Sequence, residues 1–251
     1  MNTTTSCLIH LSDHHFVTSY KNEMKLWDGF TGSCQSVWCD QSDDITALFA
    51  LNSQQFASLS RNHELKVYDI TSKRCLYSLN HIVQVIVLNS DTFLCQRLNG
   101  SVDVRQKKCG TTTVRDNSHL HNKDQKPVHE LIRTITDPLL KGACIISLQE
   151  PNNNSCGGGD GEDKSEDVRF VFGNGHCAKV WNAMSGNLEG VIYDPLSRFD
   201  QMVLVKPKVR LVATMYNQSV HLWNMTTMQR EYTNRSYSCP GLSKVLPLTD
   251  N

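Results

Sequence analysis

No stretch of this chain supplies the roughly 18 apolar residues in a row that a membrane-spanning helix needs. The start, Met1-Asn2-Thr3-Thr4-Thr5-Ser6-Cys7, has neither the basic segment nor the apolar core of a secretory signal. There is no excess of either charge. The 25 basic and 25 acidic side chains cancel, so the concentrated positive field that draws a protein to nucleic acid or a membrane surface is missing. No two of the 10 cysteines have the C-x-x-C spacing. Without a secretory route their even count does not imply a disulfide framework, and most are expected to be reduced thiols acting as small apolar residues. A sequon such as Asn217-Gln218-Ser219 then carries no glycan, and the expected compartment is the cytoplasm or the nucleus. What remains is a chain of 251 residues, 39% hydrophobic, a length that one all-β domain can occupy.

The positive signal is an internal repeat. The tetrapeptide Met24-Lys25-Leu26-Trp27 returns as Leu65-Lys66-Val67-Tyr68, Val102-Asp103-Val104-Arg105, Ala178-Lys179-Val180-Trp181 and Val220-His221-Leu222-Trp223. Taking the last residue as an anchor, the positions one and three before it are apolar and the position two before it is polar. This is the period-2 pattern of a strand with one buried face. Successive anchors lie 41, 37, 76 and 42 residues apart, and three of these spacings approach the length of a four-stranded propeller blade. Each anchor follows an asparagine, Asn22, Asn62, Asn99, Asn174 or Asn217, which tolerates positive φ in a tight turn. Each asparagine follows a β-prone run: Phe16–Tyr20, Phe56–Ser60, Thr92–Gln96, Val168–Phe172 and Leu211–Met215. The unit is strand, asparagine turn, strand.

These residues carry a resemblance. Trp27-Asp28 resembles the Trp-Asp dipeptide that ends the third strand in WD-repeat β-propellers, and Tyr68-Asp69, Trp181-Asn182 and Trp223-Asn224 are similar to its variants. The turns Phe30-Thr31-Gly32 and Met184-Ser185-Gly186 resemble the family's link into the fourth strand. The likeness covers most of the chain, with departures. The family's Gly-His dipeptide precedes none of the repeats, the one Gly-His, Gly175-His176, falls in a hairpin turn, and Arg105 replaces the aromatic anchor of the third repeat. These departures bear on the hydrogen-bond tetrad that the family builds from that His. The implied fold is all-β: a propeller of about five recognisable four-stranded blades and the first strand of a sixth, Lys244–Leu248, in an incomplete ring. One domain, residues 1–251, carries loop insertions at about 107–128 and 150–167. Their polar, glycine-rich and acidic composition reads as loop rather than as a hidden blade. Between them, His129–Thr136 reads as an outer strand and Ala143–Leu148 as the next first strand.

Little in the sequence asks for chemistry. His119, His121, His129 and Cys109 are metal-competent residue types, but their spacing matches no zinc module. The acidic run Asp160–Asp167 lacks the alternating ligands of a calcium loop, and Gly157-Gly158-Gly159-Asp160-Gly161 lacks the Lys-Ser/Thr of a phosphate loop. No cysteine or serine sits in a nucleophile signature. Neither cofactor, metal nor catalytic residue is expected. One arrangement suggests binding: Lys21 and Arg61 stand one place, and Arg97 two places, before the hairpin asparagines of consecutive repeats. Placed around one face, they would form a basic arc for an acidic partner segment. The resemblance implies a non-catalytic scaffold that binds other proteins. The alternative is a substrate-recognition module of a ubiquitin ligase. The Trp-Asp-x-Arg box that some such modules use is absent, because Trp27-Asp28 is followed by Gly29-Phe30.

Overall fold

The computed structural model describes residues 6–108, 129–141, 144–148, 168–195, 198–205, 210–215 and 219–235. Of the insertions expected at about 107–128 and 150–167, residues 109–128 and 150–167 lie outside these residues, as do the strand expected at Lys244–Leu248 and Asn217, Cys109, His119 and His121. Regular structure among the described residues is all β, apart from a short 3-10 turn at Pro138–Leu140, and no helix is long and apolar enough to cross a membrane.

Among the described residues, twenty strands form five four-stranded sheets, each from four consecutive strands. The first holds β1 (Ser6–Ser12), β2 (His15–Tyr20), β3 (Glu23–Asp28) and β4 (Cys34–Trp38). The second holds β5 (Ile45–Ala50), β6 (Gln55–Ser60), β7 (Leu65–Asp69) and β8 (Arg74–Leu79). The third holds β9 (Ile82–Val87), β10 (Thr92–Arg97), β11 (Val102–Lys107) and β12 (His129–Ile135). The fourth holds β13 (Cys144–Ser147), β14 (Arg169–Asn174), β15 (Cys177–Asn182) and β16 (Leu188–Tyr193). The fifth holds β17 (Phe199–Val205), β18 (Arg210–Met215), β19 (Ser219–Asn224) and β20 (Gln229–Arg235). The five expected β-prone runs fall on β2, β6, β10, β14 and β18, and Lys107 closes a strand instead of opening an insertion.

The residues form two compact units. One comprises Met1–Asn80, Asp91–Phe93 and Arg105–Ile132, and the other His81–Ser90, Leu94–Val104 and Arg133–Asn251. In the first unit, Val17, Leu26 and Trp38 of the first sheet pack on Phe56, Tyr68 and Leu48 of the second. In the second unit, one cluster joins Val102 and Val104 to Phe170 and Phe172, and another joins Val171 and Val180 to Leu211 and Trp223. The fourth sheet thus buries both faces. That explains why β14 reads as a continuous apolar run where half-covered strands alternate.

The apolar alternation predicts burial of the residue before each anchor. Leu26, Val67, Val104 and Val180 are buried, whereas Leu222 is only half-buried. It lies on the face of the fifth sheet opposite the cluster shared with the fourth, and no cluster of described residues includes it. The asparagine turns also work differently from the expectation. The left-handed positions are Lys21 (φ 53), His63 (φ 65), Gly100 (φ 88) and Gly175 (φ 63). The asparagines next to them act through their side chains: Asn62 Oδ1 accepts from the Glu64 N–H at 3.3 Å and Asn99 Oδ1 from the Ser101 N–H at 2.9 Å. A short amide that closes an Asx turn does not itself need positive φ.

Candidate functional site

Four anchors stand at the same backbone event. In the first, second, fourth and fifth sheets the pairing of third with fourth strand shifts register between the residue before the anchor and the anchor: Leu26/Trp27, Val67/Tyr68, Val180/Trp181 and Leu222/Trp223. Each anchor therefore sits at a β-bulge, which re-aims a side chain and strengthens local twist. The next residue closes the turn. Asp28 Oδ1 accepts from the N–H groups of Phe30 and Thr31, both at 2.9 Å, and Asp69 Oδ1 accepts from Ser72 at 2.6 Å. Asn182 Oδ1 accepts from Met184 at 3.0 Å and Ser185 at 2.9 Å, and Asn224 Oδ1 from Thr226 at 2.9 Å and Thr227 at 3.2 Å. The Thr31 and Phe30 N–H groups hold the Asp28 carboxyl below its ordinary range. Five places after each anchor the chain turns left-handed, at Gly32, Lys73, Gly186 and Met228. The result is one rigid turn built four times, with different side chains at its tip: Phe30-Thr31, Thr71-Ser72, Met184-Ser185 and Thr226-Thr227.

Behind the turns the anchors differ in how they meet their polar needs. Trp27 Nε1–H donates to Thr18 Oγ1 at 2.9 Å and its ring stacks on Phe16. Tyr68 Oη–H donates to Asp40 Oδ1 at 2.7 Å and accepts from Gln41 Nε2 at 3.3 Å, and the same amide donates to Ser58 Oγ. Burial and the Asp40 bond push the Tyr68 hydroxyl pKa far up, so it stays a donor. Trp181 and Trp223 have no acceptor for their buried indole N–H among the described residues. The cause is legible in the register. Thr18 and Ser58 lie opposite Lys25 and Lys66, and the matching places opposite Lys179 and His221 are Phe172 and Ala213.

The polar residue two places before the anchor has a partner in every sheet. Lys25 Nζ lies 2.9 Å from Glu23, and Lys66 donates to the Asp40 carbonyl and sits 3.9 Å from its carboxylate. Asp103 takes Arg97 at 2.6 Å, Lys179 lies 2.6 Å from Asp137, and His221 Nδ1 lies 2.9 Å from Asp194 Oδ2. In three of these the carboxylate comes from the link just before the sheet: Asp40, Asp137 and Asp194. The fifth-sheet version is the richest. Ser219 Oγ lies 2.8 Å from His221 Nε2, Arg230 Nη1 reaches the same Asp194 oxygen at 3.1 Å, and His176 Nδ1–H donates to the Asp194 carbonyl at 3.0 Å. A serine, a histidine and an aspartate in series have the order of a nucleophilic relay. Yet Ser219, His221 and Asp194 are all buried, so no substrate reaches the hydroxyl, and these contacts hold Asp194 beside β19. Sequence reasoning missed these residues. The signal was the unvarying polar position before each anchor.

The three basic residues differ in their immediate surroundings. Lys21 is exposed, its ammonium 5.7 Å from the Tyr20 ring, and its carbonyl accepts from the Ile45 N–H at 2.8 Å. Arg61 donates its N–H to the Asp44 carbonyl at 2.8 Å and reaches the Asp44 carboxylate at 3.4 Å. The link Asp44-Ile45 thus joins these two turns. Arg97 instead ends β10, and its guanidinium pairs with the buried Asp103, which also accepts from Thr134 at 2.8 Å. It is one residue out of step with Arg61. Leu98, not Arg97, donates its N–H to the residue before the first strand, His81, as Arg61 does to Asp44.

His129, considered above as a metal ligand, is buried at the start of β12 with its ring against Phe93 at 4.9 Å and near Tyr77. Burial, with Lys107 and Arg105 adding to it, lowers its pKa to about 4. No group of three or more metal-competent side chains occurs among the described residues. The described cysteines are all free, but only Cys95 is buried, and Cys34, Cys39 and Cys75 are exposed on or beside outer strands. The small-apolar role expected of most of them fits Cys95 best. No family model and no curated protein matches this chain.

Proposed function

We propose that this chain is a non-catalytic scaffold that binds other proteins through its strand-connecting turns, built as a β-propeller of WD-repeat type. The observation that carries the reading is the turn after the anchor: four copies of one side-chain-to-backbone hydrogen bond, each with different residues at the tip, of which Phe30, Thr31, Thr71, Ser185, Thr226 and Thr227 are exposed. A constant frame with variable tips suits recognition, because binding residues are commonly loops held by a rigid support. Phe30, the most exposed large hydrophobic among the described residues, stands on such a tip with its ring 4.6 Å from that of His14. The Trp27–Thr18 bond and the network of Tyr68, Gln41, Ser58 and Asp40 support the WD-type reading, with Gln41 where that network would otherwise take a histidine. Partners with an acidic segment would meet Lys21 and Arg61 more readily than Arg97, whose charge is engaged by Asp103.

The test is affinity capture with quantitative mass spectrometry, using the chain and a variant with Phe30→Ser and Thr226→Asp. The expected result is a set of stoichiometric partners, some lost with the variant while the far-ultraviolet spectrum stays the same. Capture that is indifferent to the tips would contradict the turn-based reading. Co-purifying cullin or ubiquitin-conjugating subunits would move the assignment to the ligase module.

A further inference from the structure

The three buried clusters that join sheets among the described residues follow one rule. The face carrying the residue before the anchor packs on the anchor-bearing face of the next sheet. Leu26 and Val17 meet Phe56, Tyr68 and Leu48, and Val104 meets Phe170, Phe172 and Ile145. Val180 and Val171 meet Leu211, Trp223 and Met202. The first-strand position shows the effect on burial most clearly. By register, Leu48, Ile145 and Met202 correspond to Leu8, each lying opposite Ser58, Phe172 and Ala213 as Leu8 lies opposite Thr18. They are 8%, 3% and 4% exposed, and Leu8 is 68% exposed.

Taken within its own unit, each of two sheets has a face that no other sheet of the described residues covers, and the two faces are of complementary type. The first sheet shows its anchor-bearing face, with Leu8 and Tyr20 exposed and Phe16 and Trp27 half-buried. The fifth sheet shows the opposite kind, with Val220 and Leu222 half-buried and Tyr232 60% exposed. The ion pair that the described residues form on the first face, Lys25 with Glu23, is neutral overall, so it does not oppose closure against an apolar face. Apolar rows of this kind, left in water, favour association.

We propose that the Leu8–Trp27 face of one copy binds the Leu222–Tyr232 face of a second copy, repeating between molecules the contact made three times within the units. Such a head-to-tail contact uses different patches on the two partners and permits growth beyond a dimer. It does not depend on the scaffold reading, since only this chain is required.

Sedimentation velocity on the full chain tests it, with Leu8→Glu and Tyr232→Glu as blocking variants. Both sites are exposed, so both variants should keep the wild-type far-ultraviolet spectrum; Leu8→Lys or Tyr232→Lys replaces either that does not. The wild type should gain weight-average mass with concentration, including species larger than a dimer. Each variant alone should lose this completely. An equimolar mixture should form dimers and nothing larger, because each variant retains the face the other needs. A wild type whose mass is independent of concentration overturns the proposal. So does a single variant that still associates, which would show a like-to-like contact.

Discussion

His129 offers a quantitative test of the packing. The imidazole lies buried against Phe93 and near Tyr77, and its pKa falls from 6.5 to about 4. A base whose folded pKa is depressed contributes stability above its unfolded pKa, and that stability is lost as pH falls towards the folded one. The difference of pKa corresponds to about 3 kcal/mol in all, of which about 2 kcal/mol should disappear between pH 7.5 and pH 5. His129→Phe removes the titrating group and keeps an aromatic ring against Phe93. Urea unfolding followed by tryptophan fluorescence, at a series of pH values, should show the wild type losing about 2 kcal/mol relative to the variant over that range. Other titrating groups contribute equally to both proteins and cancel in the difference. Parallel pH profiles would refute the burial of this histidine as described.

Arg97→Glu should destabilise the protein by about 3–5 kcal/mol, because the buried Asp103 loses its partner. Lys21→Glu and Arg61→Glu should leave the unfolding midpoint nearly unchanged, and chemical denaturation of the three variants checks the contrast. Ala213→Ser places a hydroxyl where Thr18 serves Trp27, and should stabilise by about 1 kcal/mol through a bond to the Trp223 indole; a loss of stability would show that the indole is out of reach. Val67→Asp should cost about 3 kcal/mol or more as an unpaired buried charge. Leu222→Asp should cost clearly less, in keeping with its half-buried place.

The strands were legible because their alternation is a direct imprint of two-faced burial, and the run Val168–Phe172 could be placed even though both its faces are covered. The insertion of strand β12 between two polar stretches was equally readable from His129–Thr136. Turn chemistry was read only in part. Asparagine suggested the left-handed position, but Lys21 and His63 adopt it; beside His63, the Asn62 side chain closes the turn and does not itself need positive φ. Leu222 shares the alternation of Leu26 and Val180, yet burial depends on what packs against a face and not on the pattern along one strand. Arg97 looked like a member of a series because spacing was counted from Asn99, whereas hydrogen bonding aligns Leu98 with Arg61. The pairing of His221 with Asp194 joins residues far apart in the chain, and only the recurrence of a polar residue before each anchor hinted at it.

The central claim is that four-stranded sheets, packed on one another within each unit through residues such as Leu26, Val104 and Val180, form a frame for variable turns. Residue-resolved hydrogen exchange on the intact chain tests it most directly. The account predicts slow exchange for the third-strand amides around Leu26, Val67, Val104 and Val180, and faster exchange around Leu222. It also predicts measurable protection of the Gly32 and Gly186 N–H groups, which donate to Asp28 and Asn182 carbonyls at 2.9 Å. Unprotected amides at three or more of the four buried positions, or free exchange at both glycines, would contradict it.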